Sequence, residues 1–155
     1  MKKLKIYLDT SILNFVFDEE SPMERKITNK LFEQIHKYDP YISDIVLEEI
    51  NRCPEPRKKK MVNLISQHKI KPLMLNEAAQ ELARKYIKQG IIPQKYEDDA
   101  FHIAIASVND LDVILSWNFT HIVKLKTKRE VVAVNLLMGY KEIDIYSPLE
   151  VVENV

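Results

Sequence analysis

The chain has 155 residues, 46% of them hydrophobic, which is enough for one domain with a real core and too short for two ordinary ones, so a single domain over residues 1–155 is expected. Its 23 basic and 23 acidic residues cancel, so net charge argues neither for nor against a nucleic-acid partner. No run of about twenty apolar residues occurs, and Met1-Lys2-Lys3 leads only into a brief apolar stretch broken by Asp9; neither a membrane span nor a signal peptide is expected, and the expected location is the cytoplasm.

Leu4 to Leu8 is a short apolar run with strand propensity from Ile6 and Tyr7, and it ends at Asp9-Thr10-Ser11, where capping residues lead into Ile12-Leu13. A strand therefore delivers an acid into a helix start. Pro22 opens a second helix, whose Ile27, Leu31, Phe32 and Ile35 follow helical spacing until Tyr38-Asp39-Pro40 stops it. Tyr41-Ile42 reads as a brief strand, after which Ser43 or Asp44 caps a helix carrying Val46, Leu47 and Ile50, with Glu49 in its second turn. Pro54, Pro56 and the run Arg57 to Lys60 mark a turn into a helix bearing Met61, Leu64 and Ile65. The lone Cys53 lies in that turn with no Cys or His partner at ligand spacing, and no internal disulfide is open to it.

Ile70 to Leu75 is a weak strand candidate because Pro72 interrupts it. Asn76 caps a helix through Leu82, Ala83, Tyr86 and Ile87, which Gly90 ends. Tyr96 to Val108 predicts a helix that is apolar on most of its surface, hence central and enclosed, with Asp98 and Asp99 at its N-terminal end. Val113-Ile114-Leu115 is a further strand, running into Ser116-Trp117-Asn118, where Asn118 is placed to cap a short helix. Thr127 to Met138 has helical periodicity closed by Gly139, and Ile143 to Tyr146 reads as a last strand. Strands alternating with helices, few hairpin signals and only two glycines argue for a three-layer α/β/α domain with a mostly parallel sheet.

In such a sheet the strand ends share one edge and open on one crevice. Asp9 and Asn118 become neighbours there, while Glu49 and Asp99 reach in from adjoining helices. Carboxylates brought together repel one another at ~4 kcal/mol per close pair for an effective dielectric near 20, and a divalent cation relieves this. Oxygen ligands of this kind suit Mg²⁺ or Mn²⁺. The candidate catalytic and metal-binding set is thus Asp9, Glu49, Asp99 and Asn118. His102 stands three residues after Asp99, in an apolar setting that fits a structural role or a proton carrier. His121, with Lys124 and Lys126 following, is a candidate phosphate contact, and Trp117 is placed to pack against the sheet edge or to stack on a base. Tyr7 and Phe15 read as core.

Four segments carry a resemblance: Tyr7-Leu8-Asp9-Thr10-Ser11, Ser43 through Glu49-Ile50, Asp98-Asp99-Ala100-Phe101-His102-Ile103-Ala104, and Leu115-Ser116-Trp117-Asn118-Phe119. In order and spacing they resemble the PIN-domain ribonucleases, in particular the VapC-like toxin group. The resemblance implies a five-stranded PIN-like sheet, a Mg²⁺- or Mn²⁺-dependent endoribonuclease acting on RNA, a homodimer, and a toxin held inactive by a partner antitoxin. It places the three acids at Asp9, Glu49 (with Glu48 the alternative) and Asp99, with Ser11 in support and Asp98 assisting or capping. Asn118 stands where many relatives carry aspartate, and His121 where a further aspartate is common. An amide oxygen coordinates a cation without bringing charge, so weaker metal affinity is expected. The rival reading is a catalytically weakened PIN-like module that binds RNA or protein. A phospho-acceptor receiver domain fits poorly, because Asp9 is followed by Thr10-Ser11 and the acidic pair comes late.

Overall fold

A computed structural model describes residues 2–153; Met1, where the sequence reading begins, and the last two residues of the expected 1–155 domain lie outside the described residues. Five strands, β1 (Lys5–Leu8), β2 (Asp39–Ser43), β3 (Lys71–Leu73), β4 (Val113–Leu115) and β5 (Asp144–Tyr146), form one sheet in the order β3-β2-β1-β4-β5. Every pairing is parallel. The α-helices are α1 (Thr10–Phe15), α2 (Pro22–Glu33), α3 (Asp44–Asn51), α4 (Arg57–Gln67), α5 (Glu77–Lys88), α6 (Glu97–Val108) and α7 (Leu125–Leu137). Helices α1 to α4 contact one another, as do α5 with α6 and α7, which is the division that right-handed crossovers impose on the two faces of a parallel sheet. No helix among the described residues is long and apolar enough to cross a membrane.

Strand burial explains the sequence pattern. The central β1 and β4 are covered on both faces, so Ile6, Tyr7, Leu8, Val113, Ile114 and Leu115 are all buried and read as continuous apolar runs. β3 is an edge strand, which is where Pro72 is tolerated: it pairs only with β2, in register with Ile42. Local signals set the helix ends. Ser43, and not Asp44, caps α3, its Oγ accepting from the backbone N–H of Ile45 and Val46. Asn76 caps α5 through Ala79 N–H, and Gly90 and Gly139 adopt positive φ beyond α5 and α7.

Two expectations shift. The second helix ends at Glu33, and a 3₁₀ turn over Ile35–Lys37 carries the chain into β2, which starts two residues earlier than Tyr41. Asn118 starts no helix; its Oδ1 accepts from the N–H of Thr120 and His121 and closes a turn.

One buried polar cluster ties together the helices of the second layer. Tyr86 on α5 donates to Asn135 Oδ1 on α7 at 2.5 Å, and Asn135 Nδ2 donates to Ser107 Oγ on α6 at 2.9 Å. All three residues are fully buried. Replacing Asn135 by Ala leaves the Tyr86 hydroxyl only the longer 3.4 Å contact to Ser107 Oγ, at a cost of about 1–3 kcal/mol. Urea denaturation of Asn135→Ala is expected to show that loss, and the Tyr86→Phe/Asn135→Ala double variant to lose less than the sum of the singles.

Candidate active site

The strand order places β2 on one side of β1 and β4 on the other, so the connections leave the ends of β1 and β4 in opposite directions and open a crevice between them. Asp9 follows β1 directly and caps α1; it is buried, 4% exposed. Its Oδ1 accepts from Ser11 Oγ at 2.5 Å, and its Oδ2 accepts from Ser116 Oγ, just after β4. Ser11 Oγ in turn accepts from the backbone N–H of Trp117 at 2.9 Å. Two strand ends are thereby stitched together around one carboxylate.

Glu49 enters from α3. Its Oε1 accepts from Thr10 Oγ1 at 2.8 Å and from His102 Nε2 on α6 at 2.7 Å. Glu48 is exposed, so Glu49 is the residue of that pair that turns inward. His102 is 2% exposed, and its Nδ1 lies 2.6 Å from Tyr7 Oη, which is 2.7 Å from Ser43 Oγ. A carboxylate accepts only, so Nε2 carries a proton in either charge state of the ring. The chain Glu49–His102–Tyr7–Ser43 therefore runs from α3 through α6 and β1 to the end of β2. Asp99 opens α6, and its Oδ2 accepts from Asn118 Nδ2 at 3.2 Å. Asn118 thus spends its amide donors on Asp99 and its carbonyl oxygen on the following turn.

The electrostatics follow from burial. Burial pushes the Asp9 carboxyl above its ordinary value, against the opposing pull of His102 and the two serine hydroxyls. Burial also raises Asp99, pushed up to about 6, with Asp9 and Glu49 adding repulsion and His102 opposing. Burial acts upward on Glu49 too, but the His102 and Thr10 hydrogen bonds and His102's charge outweigh it, and its carboxyl falls below the usual range. Desolvation pulls His102 down, yet Glu49 first, then Asp9 and Asp99, bring it above the ordinary histidine value. The two directions agree: each partner favours the charged form of the other. Among the described residues no lysine or arginine forms an ion pair with Asp9, Glu49 or Asp99.

This donor set fits a hard divalent cation: carboxylates, an amide and hydroxyls, with net negative charge not offset by a fixed cation. Among the described residues, however, no three His, Cys, Asp or Glu side chains stand as a ready-made cage, and Glu49 Oε1 and both oxygens of Asp9 are engaged in hydrogen bonds.

The remaining candidates divide. Asp98 stands at the exposed rim, 3.4 Å from Arg52 Nη2, and makes no hydrogen bond to the other acids. His121 donates its backbone N–H to Asn118 and stacks its ring on Tyr96, with centroids 4.3 Å apart. Lys124 follows, half-buried, and its charge adds to burial in lowering His121. Lys126 is turned to the Gly90 carbonyl at 3.0 Å. Trp117 takes the packed option: it is 7% exposed, with its indole N–H donating to Thr28 Oγ1 at 2.8 Å and Phe15 against its ring. Sequence reasoning missed Thr10 and Ser116, and it placed Tyr7 in the core without its hydroxyl's part. The usable signal was a hydroxyl within two residues of the end of each of two strands, and one tyrosine between Ile6 and Leu8 in the central strand.

The fold is that of solved toxin–antitoxin structures. A chain of the crystal structure of VapBC2 from Rickettsia felis bound to a DNA fragment from their promoter matches with a TM-score of 0.57 at 12% identity, covering 93% of this chain and 98% of that one. A chain of VapBC-5 from Mycobacterium tuberculosis, a member of the VapBC family of toxin–antitoxin systems, matches with a TM-score of 0.51, also at 12% identity, covering 92% and 98%. No protein-family model and no curated protein matches the sequence. The chain thus has the PIN-like α/β/α fold with a five-stranded parallel sheet.

The raised Asp99 carboxyl carries a stability consequence with a definite sign. Its folded value of about 6 exceeds the ordinary 3.8, so the folded chain binds this proton more tightly, and the stability contributed by the protonated form is lost as pH rises through about 6. In EDTA, Asp99→Asn is expected to raise the urea midpoint at pH 7.5 by more than it does at pH 4. An equal change at both pH values contradicts the assignment.

Proposed function

We propose that the chain is a metal-dependent endoribonuclease of the PIN-domain, VapC-like group, hydrolysing RNA phosphodiester bonds, and that it is the toxin of a toxin–antitoxin pair. The observation carrying this reading is the gathering of Asp9, Glu49, Asp99 and Asn118 at the β1/β4 crevice, with Asp99 pushed up to about 6 and no lysine or arginine paired to the acids. The sequence resemblance and the shared fold with VapBC chains support it further.

Asp9, Glu49 and Asp99 would hold Mg²⁺ or Mn²⁺, and Asn118 Oδ1 would join them by giving up the turn hydrogen bonds it accepts from Thr120 and His121. Such an ion supplies an acidified water and neutralises charge developing on the phosphodiester. The chain's own residues perform the positioning. His102 fixes Glu49 through Oε1 and leaves Oε2 without a hydrogen bond among the described residues, as the Asn118 amide does for Asp99 Oδ1. Ser11 and Ser116 hold Asp9 in one orientation while opposing the rise that burial imposes on its carboxyl. Tyr7 and Ser43 lock the far side of the imidazole, so that the pair on Glu49 keeps its geometry as charge builds. An antitoxin as protein partner, a homodimer and a cytoplasmic location complete the reading.

The uncharged Asn118 favours a second reading, a PIN-like module that binds RNA or protein with weakened catalysis. Incubation with single-stranded and structured RNA separates the two. Cleavage that needs Mn²⁺ or Mg²⁺, stops in EDTA and falls at least about 100-fold in Asp9→Asn is the expected result; intact RNA with retained binding establishes the module instead. Asn118→Asp is expected to bind Mn²⁺ roughly tenfold more tightly or better, since one added charge near a cation contributes up to ~4 kcal/mol at an effective dielectric near 20, less the repulsion from Asp99. Calorimetric titration reads this directly, and equal affinity removes the charge argument.

A further inference from the structure

We infer that Phe119 and Tyr96 form two stacking surfaces flanking the acids that select unpaired bases of single-stranded RNA, an inference that rests on the nuclease reading above. Both side chains are large and aromatic, and both stand in the open beside the site: Phe119 is 51% exposed and Tyr96 41%. Trp117, two residues from Phe119, is by contrast buried and hydrogen-bonded.

Their positions are tied to the acids from both sides. Tyr96 immediately precedes α6, three residues before Asp99. Phe119 immediately follows Asn118, whose amide donates to Asp99. The turn carrying Phe119 is held by Asn118 Oδ1, which accepts from Thr120 N–H at 3.1 Å and His121 N–H at 2.9 Å. The same turn presents His121 to Tyr96, with ring centroids 4.3 Å apart and an interplanar angle of 31°. Phe119 meets Trp117 in an edge contact at 6.2 Å. Each ring is therefore supported before a ligand arrives, which lowers the ordering cost of binding.

The neighbouring charge points to nucleic acid. Lys95 Nζ lies 5.7 Å from the Tyr96 ring centroid, and Lys124 follows His121 closely enough for its charge to lower that imidazole. Among the described residues neither lysine forms an ion pair, so both can meet backbone phosphates of a bound strand. An aromatic face with cations alongside accepts any base, because every base has a π-face. It cannot reach bases stacked inside an A-form duplex, where the readable surface is the minor groove with its 2′-hydroxyls. Unpaired RNA is the substrate class that follows, with little preference for base identity from these two residues.

The test is direct binding, in which cleavage plays no part. Anisotropy of a labelled single-stranded RNA of roughly 10 nucleotides, within the usual span of a single-strand groove, is followed in Ca²⁺ and in EDTA. The proteins compared are the parent, Phe119→Ala, Tyr96→Ala, and the aromatic replacements Phe119→Trp and Tyr96→Phe, each with its urea midpoint measured. Each alanine variant is expected to bind about tenfold more weakly, the aromatic replacements to stay within about twofold of the parent, and a fully duplex RNA to bind all five proteins alike. Equal single-strand affinity in parent and alanine variants overturns the inference, as does a parent that binds no single-stranded RNA in either buffer or binds duplex equally well. A parallel Mn²⁺ cleavage assay keeps the two ideas apart. Ring-dependent binding without cleavage leaves the stacking surfaces standing and removes the enzyme, whereas cleavage with ring-independent binding removes the stacking surfaces alone.

Discussion

Burying several carboxylates in one crevice is the constraint around which this molecule is arranged. Asp9 is enclosed almost completely, Asp99 is pushed up to about 6, and among the described residues no lysine or arginine pairs with either. The fold tolerates the arrangement by surrounding the acids with hydroxyl and amide donors that stabilise charge without neutralising it: Ser11 and Ser116 on Asp9, Thr10 on Glu49, Asn118 on Asp99. Residual negative charge on a rigid support is what a cation-dependent site requires, and it is also a local cost in stability that the core must offset.

His102 is the imidazole inside this group, and its two nitrogens serve different ends. Nε2 fixes Glu49, while Nδ1 reaches Tyr7 and, through it, Ser43 at the start of α3, the helix that carries Glu49. The loop closes on itself: β2, α3, α6 and β1 are mutually positioned by four side chains. A proton carrier and a structural histidine are alternatives at the level of sequence. In the fold, the ring's 2% exposure and its two partners make it the brace for Glu49.

Asn118 shows how one side chain divides its work. Its carbonyl oxygen organises the turn after β4, and its amide nitrogen donates to Asp99. An aspartate there would keep the first role and replace the second with repulsion. The amide therefore leaves Asp99 better tolerated than a carboxylate would, and the turn it closes is the one on which Phe119 and His121 are displayed.

Much of this was legible along the chain because it depends on neighbours within a few residues. The stop at Asp9, the caps at Asn76 and Ser43, the glycines after α5 and α7 and the apolar runs of β1 and β4 follow from periodicity, capping and φ preference. Alternating strands and helices then force a parallel sheet, so the shared edge that holds Asp9, Glu49, Asp99 and Asn118 could be read before any coordinates. Exact partners could not. Pro72 left β3 doubtful until its edge position was known, and the loss of the helix expected after Asn118 reflects a side chain that closes a turn on itself. Tyr7 with Ser43, Tyr7 with His102, and Asp9 with Ser116 lie 36, 95 and 107 residues apart. Only strand order and register bring such pairs together, so the sequence determined which edge would carry the acids, while tertiary packing alone decided which donor meets each oxygen and which rings are left facing water.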